Sequence, residues 1–156
     1  MQIISEQKKE VWNYFSLQSL FILLLFISAI SCKVALVPEY NADLETQISN
    51  DAKMTDMLYL EMMDASADKK NYSLYADKYI NIETEINSIL LKNEARAKAG
   101  DIVASVEKLR DYFVKAKEDH KKRDTLSNAE FLIYNEQLKA FWKPILVEEI
   151  ALSKAK

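Results

Sequence analysis

A single glycine, Gly100, and two prolines, Pro38 and Pro144, punctuate a chain of 156 residues. Sheet proteins reverse direction through tight turns that depend on glycine, proline, Asn and Asp. A chain this short of glycine and proline, and rich in Ala, Leu, Glu, Lys and Met, is expected to be all-α. The same scarcity removes whole classes of chemistry. A Walker loop, a dinucleotide-binding G-x-G-x-x-G and a G-x-S-x-G nucleophile elbow each need more than one glycine.

Apolar periodicity divides the second part of the chain into four helices. Asn41 is an N-cap candidate, with Asp43 and Glu45 in the first turn, where carboxylates suit the positive end of the helix dipole. Leu44, Ile48, Ala52, Thr55, Leu58, Tyr59 and Met62 then recur at steps of three and four and form one inner face. A polar joint over Ala65–Asn71 precedes a heptad-like seam of Tyr72, Tyr75, Tyr79, Ile82, Ile86 and Ile89. This second helix is expected to run to Ala99, with Gly100 as a left-handed C-cap and Asp101 capping the third.

The third helix carries Ile102, Val106, Leu109, Phe113 and Ala116 inward and ends in His120-Lys121-Lys122-Arg123, cations suited to the negative end of the dipole. The fourth has the clearest start, because Ser127 and Glu130 fit a capping box and Leu126 and Phe131 a hydrophobic staple. Its inner positions are Phe131, Tyr134, Leu138, Phe141, Trp142 and Ile145. Pro144 lacks a backbone donor, so a kink there, or a separate short helix over Ile145–Leu152, is expected. Short joints between helices imply an antiparallel up-down-up-down four-helix bundle, a single domain over residues 41–156.

The N-terminal part has a different grammar. Lys8 and Lys9 lie in a polar head, followed by the apolar run Leu20-Phe21-Ile22-Leu23-Leu24-Leu25-Phe26-Ile27 and the small residues Ser28, Ala29 and Ser31, the tripartite layout of a secretory signal. The sequence Ser28-Ala29-Ile30-Ser31-Cys32 resembles the lipobox of bacterial lipoproteins, with Ala29 where that family more often has Leu. The resemblance covers the targeting segment alone. It implies cleavage after Ser31, removal of residues 1–31 and diacylation of Cys32, with residues 32–40 as a tether. Two or three acyl chains hold a protein firmly where one binds reversibly. The uncharged stretch Val11–Ile30 leaves an uncleaved anchor as the rival reading. Lys33, where an Asp would favour inner-membrane retention, resembles lipoproteins sent to the outer membrane of Gram-negative cells, facing the periplasm.

Cys32 is the sole cysteine. An exported domain without a disulfide is stabilised by its core alone, and a thiol given to lipid leaves none for catalysis or metal binding. His120 is the sole histidine; it is a candidate metal ligand or general base, or a packed helix-end residue. Lys117, not Glu, precedes it by three, which argues against the E-x-x-H pairs of di-metal bundles. Met54 and Met57, with Met62 and Met63, are candidate Cu(I) ligands or pliable packing groups. The acid pairs Glu83/Glu85 and Glu148/Glu149 point to different helix faces and do not converge.

A net charge of −3 gives no reason to expect nucleic-acid binding. The basic run Lys115, Lys117, Lys121, Lys122 and Arg123 reads as a solvated face. No catalytic residue, metal or cofactor is assigned. The expectation is a non-catalytic envelope lipoprotein that touches membrane lipid through Cys32 and docks a helix face on another envelope protein. The alternative is a periplasmic binding module for a small apolar ligand or metal held within the bundle.

Overall fold

The structure, a computed structural model, describes residues 37–155. The export signal, Ser31 and Cys32 lie outside the described residues. Four α-helices follow one another, α1 (Ala42–Asp64), α2 (Ala76–Glu94), α3 (Gly100–Arg123) and α4 (Asn128–Lys154), and no strand occurs among the described residues. Helix α1 packs against α2 and α4, and α3 packs against the same two, so every helix has two neighbours around one apolar core. None of the helices is long and apolar enough to cross a membrane.

Two starts match their sequence signals in atomic detail. The Asn41 side-chain oxygen accepts from the Asp43 and Leu44 N–H groups at 3.0 and 3.1 Å. At α4, Ser127 accepts from the Glu130 N–H and Glu130 reaches back to the Ser127 N–H, both halves of the capping box. The seam of Tyr79, Ile82, Ile86 and Ile89 is buried along its whole length.

The joint after α1 is built from two 3-10 turns, Ala67–Lys69 and Tyr72–Leu74, so α2 begins at Ala76 and not at Tyr72. The Tyr72 N–H donates to the Asp124 carbonyl at 2.8 Å and Asn71 Nδ2 to the Asp124 carboxylate at 2.8 Å. This anchorage on the end of α3 holds the joint in tight i→i+3 bonding. Asp124 takes φ of 62°, a left-handed conformation that Asp tolerates better than most side chains.

Gly100 does not cap α2. It is the first residue of α3 with no positive φ, and a Cβ added to it would meet nothing within 4 Å. The left-handed residue is Lys98, at φ 64°. Helix α2 stops early because Arg96 turns inward: its guanidinium donates to Asn93 Oδ1 and to Glu149, and its N–H to the Asn93 carbonyl.

Helix α4 is continuous from Asn128 to Lys154, so no separate short helix follows Pro144. Pro144 and Ala140, whose carbonyl loses its usual partner, are both exposed, and water can serve that oxygen. The inner face of α1 also departs from its expected phase. Asp51, not Ala52, is buried, and Tyr134 and Phe141 of α4 are only half-buried.

Candidate functional site

Of the places in the described domain that hold polar chemistry inside or against the core, three bear on the candidate residues. The first lies where α4 ends near the start of α1. Glu149 is fully buried and uses both carboxylate oxygens: Arg96 donates to Oε2 at 2.8 Å and to Oε1 at 3.2 Å, and the Asn41 N–H donates to Oε1 at 2.9 Å. Arg96 also donates to the Glu39 carbonyl at 2.6 Å, and Pro38 is buried. The last residues of the expected tether are therefore docked on the domain. A paired, hydrogen-bonded buried charge of this kind fixes geometry, and it leaves no oxygen free for a ligand.

The second place surrounds His120, which is buried against Tyr72, Tyr75, Tyr79 and Phe131. Its Nε2 lies 2.8 Å from the Lys70 carbonyl, an acceptor, so Nε2 carries the proton and donates. Nδ1 then accepts from the Tyr79 hydroxyl at 3.1 Å. Burial holds the imidazole below its ordinary pKa, which favours this neutral form. Both ring nitrogens are committed, and a metal would have to displace one of these partners. Among the described residues, no three His, Cys, Asp or Glu side chains are grouped to hold a metal ion.

The third place is a surface groove between α1 and α2. Met54 and Met57 lie there, 39% and 47% exposed, with Leu58 and Ile82 as the floor and Asn81 alongside. Lys78 pairs with Glu61 in the same groove. Met54 and Met57 are therefore not brought to His120; of the four candidate methionines it is Met62 that lies near the histidine cluster, its sulfur 3.8 Å from the Tyr79 hydroxyl. Beyond Met54 the groove turns polar, lined by Asp43, Thr46, Gln47, Asn50, Asp51, Glu85, Ser88 and Lys92.

Asp51 is the unusual group of this polar stretch. It is 2% exposed, and its Oδ2 has no hydrogen-bond partner. Burial, reinforced by the Glu85 carboxylate and only partly offset by Lys92, pushes its carboxyl up to about 7. Nearby groups are already engaged: Gln47 donates to Glu85 at 2.7 Å and accepts from Lys92. Elsewhere a half-buried carboxylate is better served. Burial raises Asp56, but hydrogen bonds from Asn135 and Lys139 outweigh it and hold the carboxyl below its ordinary value.

Sequence reasoning missed Asp51 and Glu149 as interior groups, although helix phase marks both. Asp51 is three residues after Ile48 and four before Thr55, and Glu149 is four after Ile145 and three before Leu152. The acid pairs behave as the spacing implies, since Glu149 is buried while Glu148 is half-buried, and Glu83 binds Lys117 at 2.6 Å while Glu85 takes Gln47. Much of the basic run is paired, Lys115 with Asp119 and Arg123 with Glu130. Large apolar side chains stand exposed at Leu60, Leu74, Ile80 and Leu91 around α1 and α2, and at Leu132, Ile133 and Val147 on α4. The chain matches no protein-family model, no curated protein and no solved structure.

Proposed function

We propose that this chain is a lipoprotein of the bacterial cell envelope, exported by residues 1–31, cleaved after Ser31 and acylated on Cys32. It works on the inner leaflet of the outer membrane, facing the periplasm, as a non-catalytic helical scaffold that docks another envelope protein through a helix face. The sequence Ser28-Ala29-Ile30-Ser31-Cys32, at the end of an uncharged apolar run, carries this reading.

The helices run up-down-up-down. Support comes from which ends meet: Asn41 with Glu149, and the Met63 carbonyl with Asn128, for α1 and α4; Gln47 with Glu85, and Glu61 with Lys78, for α1 and α2. The Tyr134 hydroxyl on Asp119 and the Tyr112–Phe141 ring contact support the same for α3 and α4. A Pro144 bend in α4 belongs to this reading. The scaffold role draws on the exposed apolar side chains of α1, α2 and α4, set on a core whose polar groups are largely tied to one another.

Two experiments test it. Radiolabelled palmitate should enter the wild-type chain and not Cys32→Ala; cleavage of that variant after Ser31, with membrane retention through a high-salt wash, would sink the lipid anchor. Crosslinking in native membranes should recover one stoichiometric envelope protein. A stoichiometric small ligand seen by native mass spectrometry, with no partner protein, overturns the scaffold in favour of a binding module.

A further inference from the structure

We propose that the groove between α1 and α2 binds an alkylammonium ion, with the ammonium group on the Asp51 carboxylate and the alkyl chain along Met54, Met57 and Ile82. The site stands apart from the scaffold reading and does not depend on it.

Asp51 Oδ2 is an orphan oxygen. A buried carboxylate oxygen without a partner is costly, and an incoming N–H donor that carries positive charge relieves both the missing hydrogen bond and the uncompensated charge. Asp51 is nine-tenths or more buried, its Oδ2 is unpartnered, and it lines the polar half of the groove. An ammonium has three N–H donors. Asp51 supplies one acceptor, and Asn50 on α1 and Glu85 and Ser88 on α2 offer further oxygens in the same lining.

The resident cation does not fill this role. Lys92 donates to Gln47 Oε1, not to Asp51. Oδ2 is closed to water in the free chain, so binding requires lining side chains to move, and Gln47 and Lys92 are the long, flexible ones on this stretch. The charged groups that bear on Asp51 are Glu85 and Lys92 of α2, with Asp43 of α1 on the same groove. On α4, Glu149 is held by Arg96, and Lys139 by Asp56 and Glu136. The polar half therefore carries three carboxylates against one ammonium, an excess that favours a cation.

What makes the cation organic is the other half of the groove. Met54 belongs to both halves, and past it the lining is Met57, Leu58 and Ile82, with Asn81 and the mutually paired Glu61 and Lys78 at the edge, and a volume of about 200 Å³. That space is large enough for a short alkyl chain. Methionine side chains adapt readily to such a guest. A hard divalent ion would leave this apolar wall unused.

Because a proton and the ammonium compete for the same carboxylate, binding releases a proton below neutrality. Apparent affinity should then be level at alkaline pH and fall about tenfold between pH 8 and pH 6, given a carboxyl that titrates at about 7 in the free chain.

The test uses the full chain in nanodiscs of zwitterionic lipid, with methionine methyl groups labelled with carbon-13, titrated with hexylammonium chloride. Saturable shifts of Met54 and Met57 are expected, with Met62, which is buried in the core, unmoved. Asp51→Asn should weaken binding at least tenfold. Lys92→Met, which changes an exposed residue, should strengthen it severalfold by removing the competing charge. Shifts that never saturate, uniform movement of all methionines, equal affinity for hexanol, or unchanged binding by Asp51→Asn together with Lys92→Met would each overturn the proposal.

Discussion

Along its seam with α4, helix α1 meets a buried acid whose oxygens are both used, while along its seam with α2 it carries one whose buried Oδ2 has no partner. Glu149 has Arg96 and the Asn41 N–H. Asp51 has a neighbouring carboxylate, Glu85, and a lysine that binds elsewhere. Both are almost completely hidden from water. Burial alone therefore does not say whether a carboxylate is structural or available. Its partners do, and by that measure Glu149 is structural and Asp51 is available.

The sharpest way to break this contrast is to remove the partner that closes the first seam. Arg96→Ala should destabilise the domain by about 3–5 kcal/mol, because it strands a buried charge. Denaturant midpoints would show it, and adding Glu149→Leu should restore part of the loss. Little change on Arg96→Ala would mean that the two acids are equivalent after all.

Asp51 gives the next largest effect, with the opposite sign. The folded carboxyl keeps its proton up to about pH 7, whereas the unfolded one releases it near 3.8, so the folded state binds more protons in between. Stability carried by this group is full below about pH 4 and is lost as pH rises through 7. Asp51→Asn should abolish that slope and leave the variant more stable than wild type at pH 8, by on the order of 2 kcal/mol. A pH-independent difference between the two would remove Asp51 as its source.

Smaller effects separate the seams further. On the α4 side, Thr55 accepts from Trp142 Nε1 at 3.3 Å and donates to the Asp51 carbonyl at 2.8 Å. Thr55→Val should cost about 1 kcal/mol, since it leaves the buried indole N–H unpaired. On the α2 side, Met57→Gln should change thermal stability by less than about 0.5 kcal/mol, as expected for an exposed position. A larger loss would show that Met57 holds the helices together instead of lining an open groove.

The elements that could be read from sequence are those whose signals are local. Asn41, Ser127 with Glu130, and the Tyr79-to-Ile89 seam all act through neighbours within one or two turns. What escaped depends on residues far away in the chain. Helix α2 ends early because Arg96 finds Glu149, 53 residues later, so the local glycine rule pointed to Gly100 when the left-handed turn fell on Lys98. The 3-10 turn at Tyr72 likewise rests on Asp124, 52 residues on. At the groove, the composition of Met54 and Met57 was legible, but the Asp51 beside them was masked by a shift of one position in helix phase. Whether a buried acid has a partner cannot be read from periodicity at all.

The docked segment ahead of α1 has a mechanical meaning. If the chain is held at Cys32 and its partner is pulled away, the tension travels along the backbone and reaches the domain at Pro38–Asn41. There it meets the Arg96 bond to the Glu39 carbonyl and the Asn41 N–H bond to Glu149 before it can unwind α1. The buried ion pair is thus a strain relief at the point where a leash would join the body, and the helices behind it carry load only after that clasp has opened.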